Sequence, residues 1–407
     1  MKRLSAHHGS HPRAAVRARR GRGFSLVELL VSVVIGLLAL MFATRLVVSS
    51  EQSRQASLGG SDAMQNGMLA LFSISSDAGQ AGWGLNDPLI AGCNTVFHDS
   101  SGFALASATR AGVAIKPLAA AVIVSNGLDP DQLSLYSGSS MSGTGVLRLT
   151  KDYAGENEVV IERVPYGFAL DDVILAVPLT AGAANCALAQ VALDPTLQAG
   201  PPSVQKLSIA SNTGRRFNTA GGLGVNYTNG QAALFNLGQA SKLSFHTWSV
   251  ASGYLQLRAA DLAGASLAPS TVAGNIVSLK AQYGFDMRAG AAFTPTAGMQ
   301  VDRWSASMID ADGNGVIGSA ADYQRVAALR VAVVARSKNP EKPNAAGVCS
   351  ATSVKPTVFD KVEPFGVTAV PMQVNVGVAG DTVDWTCYRY RVFETIVPIR
   401  NAGWRPL

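Results

Sequence analysis

One carboxylate stands inside the longest apolar run of this 407-residue chain. Glu28 is the sole ionisable side chain between Phe24 and Thr44. A charge at the centre of a membrane helix costs about 3 kcal/mol, so such a residue is a functional feature whose cationic partner has to be named. A second constellation lies far downstream. Asp310, Asp312 and Asn314 alternate in Asp310-Ala311-Asp312-Gly313-Asn314-Gly315. That is the first half of a loop whose oxygens converge on a hard cation such as calcium, with Gly permitting the sharp turn. The twelfth position is Ala321, so the bidentate carboxylate is missing, and Asp322 is its nearest substitute. A polar turn held by Asx hydrogen bonds accounts for the same residues without an ion. Four cysteines, Cys93, Cys186, Cys349 and Cys387, form no C-x-x-C, which argues against zinc or thioredoxin-like chemistry. Three of the five histidines precede residue 12, leaving His98 and His246, each read as a surface or sheet residue. With no H-E-x-x-H, G-x-S-x-G or phosphate-loop G-K-[ST], the chain lacks a recognisable catalytic set.

The element that must position Glu28 is a helix. Phe24 to Thr44 is 21 residues, roughly 31 Å at helical rise and enough to cross a hydrocarbon core of about 30 Å. Arg45 follows at the far boundary, where a long side chain snorkels to the interface. Before it, Met1 to Gly23 carries Lys2, Arg3, Arg13, Arg17, Arg19, Arg20 and Arg22 and no acid. Basic flanks stay in the cytoplasm, so the expected topology is a single span with the bulk of the chain outside. A cleaved secretory signal would need a shorter core and a small-residue site on the outer side. A plain signal-anchor would leave Glu28 unexplained.

The formal charge of +6 belongs to that basic leader. Removing residues 1–23 takes seven of the 33 basic residues and none of the 27 acids, leaving 26 against 27 and a net charge of −1. Nucleic acid is therefore not an expected partner. Outside the cytoplasm an even cysteine count reads as up to two disulfides. Three connectivities are open; we favour Cys349 with Cys387, which closes a loop rich in Pro and Lys, and Cys93 with Cys186.

Beyond the span, Met64, Met68, Leu71 and Phe72 recur at helical spacing, which predicts an amphipathic helix packing that stripe on a globular head. Gly59-Gly60 predicts a kink or melted turn, and the glycines from Gly79 to Gly84 predict the helix end. After about residue 90, short β signals dominate. They include Leu133/Leu135, Val146–Leu149, Glu158–Ile161, Leu243/Phe245, Tyr254–Leu257, Val331–Val334 and the alternating run Tyr388–Phe393. Residues 104–124 are ambiguous between helix and strand, and 338–347 read as an exposed loop.

Arg22-Gly23-Phe24-Ser25-Leu26-Val27-Glu28 plus the apolar run resembles the signal of type IV prepilins and pseudopilins. Several later segments resemble the PilW family of minor pilins. These are Asp77-Ala78-Gly79-Gln80-Ala81-Gly82-Trp83, Phe235–Gly238, Val277–Gly284, Arg325–Ser337, and Tyr390–Phe393 leading into Val397–Asn401. The resemblance implies cleavage after Gly23 by a prepilin peptidase and methylation of the Phe24 amine. Glu28 would then pair with the N-terminal amine of a neighbouring subunit. It implies a non-enzymatic minor pilin, held in the inner membrane with a periplasmic head, that primes type IV pilus assembly and sits at the tip. Other minor pilins, the major pilin and a PilY-type adhesin are the implied partners, and no cofactor beyond calcium at Asp310, Asp312 and Asn314 is called for. The expected fold is α+β: leader 1–23, transmembrane helix 24–48, amphipathic helix 49–84, and β-rich head 85–407 built on an antiparallel sheet with an additional β-rich lobe. The alternatives are a J-like type II secretion pseudopilin, and a membrane-anchored enzyme or calcium-dependent binding module.

Overall fold

The computed structural model describes residues 25–140, 146–195, 205–344 and 346–403, with no side chains at 52, 53, 55–58, 402 and 403. Gly23, Phe24 and the basic leader lie outside the described residues. The chain divides after Gln55 into two compact units.

A single helix, Leu26–Gln80, begins the described chain. Its segment Leu26–Glu51 is long and apolar enough to cross a membrane, and none of it is buried among the described residues. The helix runs through Gly59 and Gly60, so no melted turn forms there. One or two glycines cost only about 1 kcal/mol each in a helix, and Gly59 is buried with Ser337 Cβ 3.4 Å from where its own Cβ would stand. Tertiary packing therefore outweighs the local preference.

The helix stripe also needs correction. Ala63, Gly67, Ala70, Ile74, Ala78 and Ala81 form the buried face. Met64, Met68 and Phe72 are turned to solvent, Phe72 70% exposed, and Leu71 is half-buried. Both stripes have helical period. The sheet selects the one made of small residues, because the helix lies too close for long side chains. At Gly67 the ring of Phe393 fills the space a side chain would take.

From there on the head is β-rich, and the chain is α+β. A four-stranded antiparallel sheet runs in the order Arg303–Ser305, Ile276–Phe285, Val326–Arg336, Tyr390–Pro398. A five-stranded sheet takes Ser270–Gly274, Tyr254–Ala259, Ser244–Ala251, Gln132–Ser137 and Ala121–Val124. Residues of both sheets and the small face of the helix share one core, with Ile74, Leu133, Trp248, Leu279, Leu329 and Val333 among its members. A six-stranded sheet forms most of the remaining core, and its strand Asp172–Pro178 is buried along its whole length. One pair in that sheet is parallel, Cys93–Val96 with Cys186–Gln190. The ambiguous 104–124 segment resolves into short strands rather than helix.

Candidate functional site

Glu28 lies in the first turn of the long helix, exposed, with Oε2 accepting a 3.5 Å hydrogen bond from the Ser25 backbone N–H. A carboxylate there satisfies one of the donors a helix start leaves open and favours the positive end of the helix dipole.

The other end of the helix is held by a cluster that residue patterns did not reveal. His246, on the strand Ser244–Ala251, has Nδ1 2.9 Å from Asp77 Oδ1 and Nε2 2.9 Å from Asp261 Oδ1. Trp248 Nε1, two residues along the same face, donates to Asp77 Oδ2 at 2.7 Å. Ser244 Oγ donates to Asp261 Oδ2 at 3.0 Å. Burial alone would push the imidazole's pKa down, but the bonds to Asp261 and Asp77 outweigh it and hold the pKa up at about 10. His246 is thus a cation joining the last helical turn to the five-stranded sheet. Beside it, Asn401 Nδ2 donates to the Gln80 and Ala81 carbonyls at 3.0 Å each, supplying partners for acceptors the helix end leaves open. In the sequence Asp77 stands just before the glycines that mark the helix end, in the segment Asp77–Trp83. A sequence signal for its second role exists in the pair His246–Trp248, whose spacing puts both on one face of a strand.

Asp310, Asp312 and Asp322 carry carboxylate oxygens within 4.8 Å of one another. Their hydrogen bonds describe a folded turn. Asp310 accepts from the Asn314 and Gly315 N–H groups. Asp322 accepts from Ala311, Asp312 and Ser319 N–H groups and, with Ser319, makes a capping box for the helical turn Ala320–Tyr323. Burial pushes the Asp322 carboxyl's pKa up against those three donors. Asn314 Oδ1 accepts from Val316 N–H while its Nδ2 donates to Asp312. The Val316 bond occupies one lone pair of Asn314 Oδ1 and leaves the second for a ligand.

The cysteines pair as Cys93–Cys186 and Cys349–Cys387. The first fastens the parallel strand pair; the second closes the exposed segment after Ser337 onto the turn before Tyr390.

The segments that resembled a known family all make long-range ties. Lys280, in Val277–Gly284, is fully buried and donates to the Gly127 and Asp129 carbonyls and to Asp131 at 2.5 Å. Within Arg325–Ser337, Arg330 bridges to Glu394 and Arg336 to Asp381. Residues 247–401, which include Lys280, Arg330 and Arg336, match the family model described as type IV pilus-assembly protein W, PilW. Residues 18–44 match the prokaryotic N-terminal methylation motif. Both matches support a PilW-like type IV pilin. PilW is a structural component of pilus assembly, and the N-terminal match together with the apolar helix fits a membrane-anchored pilin. No curated protein and no solved structure matches the chain.

Proposed function

We propose that this PilW-like chain is a minor pilin that co-assembles in the inner membrane, primes type IV pilus polymerisation and stays at the pilus tip, without catalysis. The observation that carries the reading is the Leu26–Glu51 helix, apolar and unburied by its own protein, with Glu28 as the one carboxylate in its first turns. Such a helix needs either lipid or other helices around it. Cleavage after Gly23 by a prepilin peptidase would create the Phe24 amine. Glu28 would pair with that amine on a neighbouring minor or major pilin, cancelling two charges in a dry core. The solvent-facing Met64, Met68 and Phe72 provide further apolar surface for those neighbours, and a PilY-type adhesin is the proposed cargo of the head. The match over 247–401 favours a pilus over a type II secretion pseudopilus.

The test is a count of surface pili by negative-stain electron microscopy in a deletion strain with retraction blocked. Pili should be lost, then restored by wild type but not by Glu28→Ala. Normal pilus numbers in the deletion strain would overturn the priming role, and full rescue by Glu28→Ala would overturn the charge pairing. A second reading, a calcium-dependent binding module, rests on the three clustered carboxylates. Calcium that leaves the melting temperature of the chain unchanged would remove it.

A further inference from the structure

The strand Tyr390–Pro398 closes one side of the four-stranded sheet, and among the described residues no strand lies beyond it. Its pairing with Val326–Arg336 is continuous from Tyr390↔Arg336 to Pro398↔Ala328, without a bulge. Two hydrogen bonds just outside the strand set the phase: Ser337 N–H donates to Arg389 O, and Ile399 N–H donates to Ala327 O. In an antiparallel ladder, hydrogen-bonded pairs alternate with non-bonded ones. Odd-numbered residues from 389 to 399 therefore direct their backbone inward to the neighbouring strand. Val392, Glu394 and Ile396 direct theirs outward. No hydrogen bond reaches those outward N–H and C=O groups among the described residues.

Proteins guard long edges with lysine, proline, bulges or covering segments. Here proline enters only at Pro398, no lysine occurs in the strand and no bulge bends it. The opposite edge of the sheet, Arg303–Ser305, is only three residues long. We propose that the Tyr390–Pro398 edge receives an extended strand from a different protein chain, extending the four-stranded sheet by β-augmentation. Outward donors and acceptors repeat every second residue, about 6.8 Å apart, a spacing that an added β-strand satisfies throughout. Side chains define the guest further. Glu394 is held by Arg330, and Arg389 by Glu341. Arg391 is exposed and without an ion pair among the described residues, and Val392 beside it is exposed. The guest strand would place an acid opposite Arg391 and apolar residues at alternate positions.

A second copy of this strand, paired antiparallel, does not meet that description. Antiparallel pairing at the edge sets outward residues against outward residues, and inward against inward. Arg391 would then face Arg389, Arg391, Phe393, Thr395 or Val397 of the other copy, never Glu394. The expectation that the guest belongs to a fellow pilus subunit rests on the proposed function; the edge geometry does not.

The test places the photocrosslinker p-benzoylphenylalanine at position 392 or 398 of the full-length chain in living cells. Both native side chains there are exposed. The crosslinked peptides are then identified by mass spectrometry. The expected result is adducts in one extended segment of a different chain, about six residues apart, with an acid in register with Arg391. Val392→Pro removes an outward N–H and leaves the internal ladder intact. It should abolish the adduct at 398 with an unchanged melting temperature, while Val392→Ala should keep it. Absence of adducts, adducts scattered over a partner, adducts to a second copy of this chain, or survival of the adduct in Val392→Pro would each overturn the proposal. Pili lost on deletion but no adducts would sink the edge strand alone. In-register adducts with normal piliation would sink the priming role alone.

Discussion

Replacing His246 with Gln tests whether the Asp77–His246–Asp261 cluster holds the helix end as a charged latch. The folded imidazole has its pKa raised to about 10, against about 6.5 in the unfolded chain. A raised pKa contributes stability that is fully present below the unfolded value and is lost as pH rises through the folded one. Between those values the folded chain holds one more proton, so its unfolding free energy should fall by about 1.4 kcal/mol per pH unit. From pH 7 to pH 9 that amounts to about 2.7 kcal/mol. The assay is denaturant unfolding of the full chain in mild detergent, followed by tryptophan fluorescence, for wild type and His246→Gln. Trp248 donates to Asp77 and so reports on the cluster. At pH 6.5 the variant should be less stable by about 3–5 kcal/mol, the scale for removing one partner from a buried charge pair. That gap should narrow steadily to pH 9. Burial holds the pKa values of Tyr136, Tyr227 and Tyr323 above their ordinary value, so they stay out of this window. A gap of constant size from pH 6.5 to pH 9 would refute a charged His246.

Gly67→Ala should destabilise the head. Its Cβ would stand 2.1 Å from Phe393 Cε2, and overpacking costs about 1–3 kcal/mol against about 1 kcal/mol returned by helix propensity. Phe393→Leu in the same chain should recover part of the loss, as read by thermal unfolding. Lys280→Met leaves Asp131 buried without its cation and should cost about 3–5 kcal/mol. The double variant with Asp131→Asn should be more stable than Lys280→Met alone, and equal stabilities would count against a direct pair.

The apolar helix Leu26–Glu51 was legible because a run of that length and composition is set by its solvent. A basic leader, an apolar run of membrane length and one carboxylate mean the same thing in any fold. Strands such as Glu158–Ile161 and Tyr254–Ala259 were legible from composition and alternation. The helix stripe was not. Met64, Met68 and Phe72 have the period and the apolarity of a core face, yet the close approach of the sheet gives that place to Ala63, Gly67, Ala70 and Ile74. Nor could Asp77 be told from an ordinary helix-end residue, because its partners lie 169 and 171 positions away. The half calcium motif was visible as a motif, but which oxygens its turn and cap would occupy depended on Asp322 and Ser319 folding back onto it. The sequence by itself determined the apolar segment of membrane length, its charged residue and the family signature, since these depend on local chemistry. Tertiary structure decided which helix face is buried, that His246 is a cation between two carboxylates, and that among the described residues Tyr390–Pro398 ends the sheet with its outer backbone unpaired. Each of those depends on groups far apart in the chain, whose approach no local pattern encodes.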